Sequence, residues 1–128
     1  MRTNAQILED VRAAGQRMWG HVNSATQVKG VPGVYFVDTA GHGGYIVALE
    51  AHPLPTAIEK WDEMVTVPGS RERFAAFEED CDYAVLLYFD ETIRIAEEDA
   101  AFDSYRVQYE RERLREVVKR YHPEMLSI

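Results

Sequence analysis

Cysteine is almost absent from this chain, because Cys81 is the only one among 128 residues. A single cysteine cannot form an internal disulfide or supply the paired thiolates of the common zinc motifs. The four histidines (His21, His42, His52 and His122) are scattered and show no ligand spacing. The sequence therefore excludes a disulfide-stapled fold and disfavours a zinc motif.

Long apolar runs are also missing. The run Ala84–Phe89 is far too short to cross a bilayer. Residues Met1–Gln6 lead into a mixed polar segment without the apolar core of a signal peptide. A phosphate-binding glycine motif and a nucleophile elbow are absent as well. We therefore expect a cytoplasmic protein that does not associate with membranes.

Positive charge is scarcer than negative charge, with 14 Lys and Arg against 22 Asp and Glu and a net charge of −8. This excess of negative charge disfavours direct binding to nucleic acid, whose phosphates attract Lys and Arg. Acidic residues dominate from Glu78 to Asp103, whereas basic residues dominate from Ser104 to His122. The basic segment either lies beside the acidic one and neutralises it, is simply solvated, or offers a basic face to a partner.

The hydrophobic content of 46% in 128 residues predicts one packed domain over residues 1–128. The capping-box pattern Thr3–Gln6 and the helical spacing that follows predict an amphipathic helix over residues 4–19. Two strand-like runs, Val34–Val37 and Tyr45–Leu49, lie on either side of the six-residue turn Thr39–Gly44. They predict an antiparallel hairpin.

Three further segments are predicted to be helical. Thr56 and Glu59 repeat the capping-box pattern and predict a short helix that directs Ile58, Trp61 and Met64 inward. A long charged helix is predicted over residues 99–121.

Between these two helices, one set of side chains recurs at intervals of three and four. This spacing predicts a helix from residue 74 through Leu87 and places Cys81 on its buried stripe, although residues 85–89 could instead form a strand. The members of the set are Phe74, Phe77, Cys81, Ala84 and Tyr88. The fold class expected is α+β, a small antiparallel hairpin or sheet packed by about four helices.

The acidic run around Cys81 is the first candidate site. In a helix, Glu78 and Asp82 lie four residues apart on one face, and Glu79 lies three residues before Asp82. Neighbouring carboxylates can chelate Mg²⁺ or Ca²⁺, with Glu78 and Asp82 as candidate ligands, or share a proton for acid–base work. Alternatively, Glu78–Asp80 form a solvated helix start, or the run is a protein-binding epitope. No cofactor is otherwise indicated.

The glycine-rich turn Thr39–Gly44 is the second candidate site. Glycines on both sides of His42, with Gly43 and Gly44 following it, allow a close backbone approach. The turn either presents the imidazole as a base, acid or ligand, or is an ordinary hairpin tip. Cys81 with His42 as its base is disfavoured as a nucleophile, since the acidic neighbours of Cys81 destabilise a thiolate.

Several motifs together resemble a family of small domains of unknown function associated with bacteriophages, plasmids and other mobile elements. The matching motifs are Trp19-Gly20, Gly33-Val34, the turn Asp38–Gly44 and the segment Phe77–Ala84. Tyr83 stands where the family pattern has tryptophan. The resemblance covers about Trp19 to Phe89. It implies that His42 and the acidic cluster meet in space, either as a structural clasp or as a reactive site.

The sequence thus favours an acidic accessory protein of a phage or mobile element in the host cytoplasm, which binds a protein. One concrete form is inhibition of a host protein that binds nucleic acid. The binding residues would be Gly43, Gly44 and the segment Glu78–Tyr83, and the seven tyrosines would also suit a homodimer interface. The alternative is a small divalent-metal-dependent hydrolase with His42, Glu79 and Asp82 as its catalytic residues.

Overall fold

The computed structural model of the chain describes residues 3–127, which form an antiparallel five-stranded sheet flanked by helices. The α+β fold class is therefore confirmed. The strands lie in the order β1-β2-β3-β5-β4. Their bounds are β1 (Val22–Gln27), β2 (Val34–Thr39), β3 (Gly43–Ala48), β4 (Met64–Thr66) and β5 (Arg73–Glu78).

The α-helices are α1 (Asn4–Trp19), α2 (Tyr83–Phe89), α3 (Glu91–Ala100) and α4 (Arg111–Tyr121). Short 3₁₀ helices occupy Thr56–Ile58, Asp103–Tyr109 and Pro123–Ser127. None of the helices within residues 3–127 combines the length and the apolar composition needed to span a membrane.

The first helix forms as its sequence predicts. The Thr3 amide donates to Gln6 Oε1 at 2.8 Å, and the Gln6 amide donates back to Thr3 Oγ1 at 3.1 Å. These bonds satisfy amides that would otherwise lack an intrahelical partner. Gly20 ends the helix with a φ of 94°. The predicted helix over residues 4–19 and the predicted β2–β3 hairpin are both confirmed.

Both faces of the sheet are buried. Ile46 of β3 packs in the core that α1 covers, whereas Val47, the next residue, packs in the core that α2 and α4 cover. Every residue of β3 is consequently buried. A strand covered on both sides loses the alternation of apolar and polar residues that identifies a half-exposed strand.

The helix predicted from residue 74 through Leu87 is wrong over its first half. Phe74 and Phe77 lie on opposite faces of strand β5, and each contacts a different core. Their three-residue spacing imitates a helix because both faces of β5 are apolar. Residues 79–82 form a turn, and only the part from Tyr83 onward is helical, so the prediction that residues 84–87 are helix is confirmed.

The short helix predicted after Thr56 is also wrong. Only Thr56–Ile58 is helical, as a 3₁₀ turn without a side-chain cap, and Met64 belongs to strand β4. Ile58 and Trp61 are nevertheless buried, as their hydrophobicity requires. Three further strands that the sequence reading did not identify (β1, β4 and β5) complete the sheet.

The long charged helix predicted over residues 99–121 is interrupted. Helix α3 ends at Ala100, where Ala101 and Phe102 adopt extended dihedral angles, and α4 begins only after an extended Glu110. The predicted helix is therefore divided into the end of α3, the 3₁₀ helix Asp103–Tyr109 and α4. Leu114 and Val118 anchor α4 in the same core as α2.

Candidate functional site

The glycine turn between β2 and β3 is tied together by Thr39. The Thr39 amide donates to the His42 carbonyl at 3.0 Å, and the His42 amide donates to Thr39 Oγ1 at 3.0 Å. The Thr39 hydroxyl also donates to the His42 carbonyl. The backbone of the turn is fixed in this way, while His42 itself is exposed. The imidazole therefore projects from a rigid support.

Gly43 and Gly44 allow strand β5 to approach this turn. Gly44 pairs with Glu78, and a Cβ atom on Gly44 would lie only 2.2 Å from the Phe77 carbonyl oxygen. The pairing continues beyond the strand, because the Glu79 amide donates to the Gly43 carbonyl at 2.8 Å. Only glycine permits such a contact.

We call residues Glu78–Asp82 the acidic loop. It leaves the sheet beside the glycine turn, so the structure brings His42 together with Glu78 and Asp80. One ligand atom from each of these three residues lies within 4.8 Å of the others. The Glu79 carboxylate lies over Gly43.

The pKa of Glu78 is raised above its ordinary value. Burial is the main cause, and the neighbouring carboxylates of Asp80 and Asp82 add to it, while the Asp80 amide, which donates to Glu78 Oε1 at 2.9 Å, opposes it. Glu78 therefore holds its proton more tightly than a free glutamate side chain would.

A Glu78→Gln substitution should stabilise the protein at pH 7 and above. The folded protein binds the Glu78 proton more tightly than the unfolded chain, so this group's contribution to stability is present below the ordinary pKa of 4.5 and falls as the pH rises through the raised folded value. Glutamine keeps the Oε1 acceptor and removes the charge.

Urea denaturation of both proteins in EDTA at several pH values measures the effect. The difference in stability between Glu78→Gln and wild type should shrink toward zero at pH 4. The control is Glu116→Gln, on the exposed surface of α4, and its stability should stay within about 0.5 kcal/mol of wild type at every pH. A Glu78→Gln variant that is less stable than wild type at pH 7 would contradict the assigned cause.

A second group of polar side chains surrounds Asp82, at the other end of the acidic loop. His122, which follows α4, places Nε2 at 2.6 Å from Asp82 Oδ1. The Cys81 thiol donates to the same Oδ1 atom at 3.4 Å. The second imidazole nitrogen of His122 lies 3.5 Å from Glu124 Oε1. A chain of four polar groups therefore joins the acidic loop to the carboxyl-terminal segment.

Sequence reasoning missed His122 as part of this site. Its only visible signal was the dipeptide His122-Pro123, which indicates the end of a helix. The contact with Asp82 depends on α4 packing against α2, and no local pattern encodes that packing. The predicted metal pair of Glu78 and Asp82 rested on helical spacing, and the acidic loop is not helical.

Cys81 is half-buried in the turn before α2, so its predicted position on a buried helical stripe is wrong. Burial, together with the negative charges of Asp82 and Glu78, raises the pKa of the Cys81 thiol to about 11. A thiol of this kind is protonated at neutral pH. The environment is therefore the opposite of the electropositive surroundings that activate nucleophilic cysteines.

Cys81 should consequently react slowly with iodoacetamide. At about pH 8, moving a thiol pKa from 9.0 to about 11 reduces the thiolate fraction about 100-fold, and the greater nucleophilicity of the more basic thiolate restores at most about tenfold. We expect alkylation of the folded protein in EDTA to be about tenfold slower than that of the same protein unfolded in urea. Asp82→Asn should accelerate it. Equal rates in the folded and unfolded protein would contradict the assignment.

Two adjoining cavities open around the acidic loop. The larger, of about 660 Å³, extends along residues 56–63 to Asp82, His122 and Glu124. The smaller, of about 250 Å³, is lined by His42, Glu78 and both Met18 and Trp19 of α1. Glu63 and Asp82 line both cavities, which therefore meet.

We call these two cavities together the acidic cleft. Its walls carry the side chains of six carboxylate residues, one lysine, Lys60, and the two histidines, His42 and His122. The carboxylate residues are Glu59, Asp62, Glu63, Glu78, Asp82 and Glu124. A cleft of this composition has a strongly negative potential.

Trp61 lines the larger cavity and connects it with the core. Its ring stacks on Phe77 at 4.8 Å, and its Nε1 donates to the Ala76 carbonyl at 2.9 Å. The His122 ring meets the Trp61 ring edge-on at 5.5 Å. Trp19 lines the smaller cavity, so both tryptophans of the chain lie at the acidic cleft.

The residues predicted for the two candidate sites therefore lie at one surface but divide into two groups. His42 lies with Glu78 and Asp80, and Asp82 lies with Cys81 and His122. His42 and Asp82 line the same small cavity. Tyr83 begins α2 and is half-buried.

A family model described as a domain of unknown function (DUF7007) matches residues 12–127. The match extends well beyond the segment Trp19–Phe89 that the motifs suggested, and it includes most of both flanking helical regions. No curated protein and no solved structure matches the chain.

Proposed function

The chain belongs to the DUF7007 family of domains of unknown function, and we propose that it is a binding protein whose acidic cleft receives a strongly basic partner protein. The observation that carries this proposal is the composition of the cleft. Six carboxylate residues converge there with Lys60 as the accompanying lysine. Carboxylates crowded in this way repel one another, and a cationic partner relieves the repulsion.

The partner we favour is a host protein whose basic groove binds nucleic acid. An acidic cleft and nucleic-acid phosphates both attract Lys and Arg side chains, so the two compete for the same groove. The net charge of −8 disfavours direct binding of this chain to nucleic acid. We further propose that the protein is an accessory protein of a phage or mobile element and acts in the host cytoplasm.

Two triple variants of equal charge change test the proposal. The cleft-neutralised variant carries Glu59→Gln, Asp62→Asn and Glu63→Gln, three exposed positions in the cleft wall. The control variant carries Asp99→Asn, Glu112→Gln and Glu116→Gln, which are exposed on α3 and α4.

Each variant and the wild type are used to capture proteins from a host lysate in EDTA, and each captured protein is then assayed for binding to nucleic acid. We expect wild type and the control variant to capture the same protein, the cleft-neutralised variant to lose it, and added wild type to displace nucleic acid from it. Equal capture by all three proteins, or a partner that keeps its nucleic acid, would contradict the proposal.

A second candidate function is a divalent-metal-dependent hydrolase, and one specific observation favours it. Ligand atoms of His42, Glu78 and Asp80 converge within 4.8 Å of one another, and His42 and Glu78 line the smaller cavity. An imidazole and two carboxylates suit Mn²⁺ or Mg²⁺. In this alternative, Asp82 and Glu79 are the nearby carboxylates available as a base.

Thermal melting with Mg²⁺, Mn²⁺ or Ca²⁺ separates the two candidates. An ion at 100 times its dissociation constant should stabilise the folded protein by about 2.7 kcal/mol. His42→Asn should remove the effect and leave partner capture unchanged. Melting curves that do not respond to these ions would eliminate the hydrolase.

We also propose that the protein forms a homodimer through exposed apolar side chains between α3 and the end of α4. Phe102 is 80% exposed, Tyr105 59% and Tyr121 53%. Light scattering of the wild type should give twice the mass of one chain. The double variant Phe102→Ser, Tyr105→Ser should give the mass of a single chain. A wild-type protein that is monomeric at high concentration would contradict this proposal.

A further inference from the structure

We propose that Cys81, Asp82 and His122 form a zinc site that links the acidic loop to the carboxyl-terminal segment. One ligand atom from each residue, a thiol sulfur, a carboxylate oxygen and an imidazole nitrogen, lies within 4.8 Å of the others. All three side chains are half-buried. Sulfur, nitrogen and oxygen donors in this combination suit Zn²⁺ and Co²⁺ rather than Mg²⁺ or Ca²⁺.

The distances within the group fit a tetrahedral ion after a small adjustment. Zinc ligands at about 2.0–2.3 Å from the ion lie about 3.3–3.5 Å from one another. Cys81 Sγ already lies 3.4 Å from Asp82 Oδ1. His122 Nε2 and Asp82 Oδ1 are 2.6 Å apart, which is a hydrogen-bond distance. An ion that replaces the proton between them needs a separation larger by about 0.7 Å, which rotation of one carboxylate supplies.

The surroundings of His122 match those of a metal ligand. If Nε2 binds the ion, Nδ1 remains free and lies 3.5 Å from Glu124 Oε1, so the carboxylate stands behind the imidazole, where it can orient the ring. The Trp61 ring packs against the imidazole from another side in a T-shaped contact, with 5.5 Å between centroids. Glu124 is therefore a positioning residue in this site.

Three protein ligands leave the fourth zinc position open. The larger cavity of about 660 Å³ is lined by Asp82, His122 and Glu124, so water can reach that position. Residues 81 and 122 are far apart in the chain, and the ion would join the turn before α2 to the residue after α4. Binding should therefore stabilise the packing of α4 on α2.

Cobalt titration of the full chain, after treatment with a chelator, tests the site. Co²⁺ bound to a thiolate gives a charge-transfer absorption in the near ultraviolet, which cobalt bound only by nitrogen and oxygen does not give. We expect this absorption to saturate at one Co²⁺ per chain and to be abolished by an equal concentration of Zn²⁺. The charge-transfer band of the wild-type protein is decisive even where a variant fails to fold.

Variants then identify the ligands. Cys81→Ser should remove the charge-transfer band, and His122→Asn should weaken cobalt binding at least tenfold, whereas His42→Asn should leave both unchanged. Zinc should also raise the melting temperature of the wild type but not of Cys81→Ser. The cleft-neutralised variant should bind cobalt like wild type, so failure of the metal site and failure of partner binding are distinguishable.

Two outcomes would overturn the proposal. The first is cobalt binding without a thiolate band, which would place the ion at His42, Glu78 and Asp80 or on the surface. The second is the absence of saturable binding by the wild type.

Discussion

Gly44→Ala should destabilise the protein by about 4 kcal/mol or more, a large part of the 5–15 kcal/mol that stabilises a typical domain. The added methyl group would lie 2.2 Å from the Phe77 carbonyl oxygen and 2.9 Å from the Glu78 Cα atom. Both of these are backbone atoms, so no side-chain rotation relieves the clash. The strands β3 and β5 must separate at the point where the sheet joins the glycine turn to the acidic loop.

Gly41→Ala is the matched control, because it lies in the same turn and a Cβ atom there meets no atom within 4 Å. Urea denaturation should place this variant within about 0.5 kcal/mol of wild type. If Gly44→Ala were as stable as Gly41→Ala, the close pairing of β3 with β5 would be wrong, and with it the position of His42 beside Glu78.

Phe77→Ala should cost about 3–5 kcal/mol, the range for removing a large aromatic side chain from a core. Phe77 is completely buried, and its ring stacks on Trp61 with 4.8 Å between centroids. The cavity left behind removes the support of Trp61, which lines the acidic cleft. Denaturation monitored by circular dichroism measures the loss, and the emission of Trp61 should change in the folded variant.

Phe102→Ala is the control for this prediction when every protein is measured at a concentration low enough to be monomeric, since the Phe102 side chain is then 80% exposed. Its stability should stay within about 0.5 kcal/mol of wild type. Should Phe77→Ala cost as little as Phe102→Ala, Phe77 of strand β5 would not pack against Trp61 in the core as described.

Local signals in the sequence predicted part of this fold. The capping box at Thr3 and the stop at Gly20 define α1, because hydrogen bonds within a few residues determine where a helix begins and ends. The glycine turn likewise defines the β2–β3 hairpin. The sequence predicts a helix where strand β5 forms, because apolar residues cover both faces of this strand. The spacing of apolar residues then does not distinguish a strand from a helix.

The candidate site was likewise predictable only where local motifs define it. The resemblance of the motifs to a family implied that His42 meets the acidic cluster, and the structure places His42 with Glu78 and Asp80. His122 could not have been added from sequence, because it reaches Asp82 only through the packing of two helices. Long-range packing of this kind leaves no signal in residue spacing.

Tryptophan fluorescence tests most directly whether the acidic cleft is the binding surface. Both tryptophans of the chain line the cleft, so occupation of the cleft changes their environment. An arginine-rich peptide without tryptophan serves as the probe, and wild type, the cleft-neutralised variant and the control variant are titrated with it in EDTA at low and high salt.

We predict a saturable change in emission for wild type and the control variant at low salt, which weakens at high salt because salt screens exposed charges. The cleft-neutralised variant should show little change. Two results would contradict the assignment of the acidic cleft as the binding surface. The first is a wild-type emission that does not change when the peptide is added, and the second is an equal change in all three proteins.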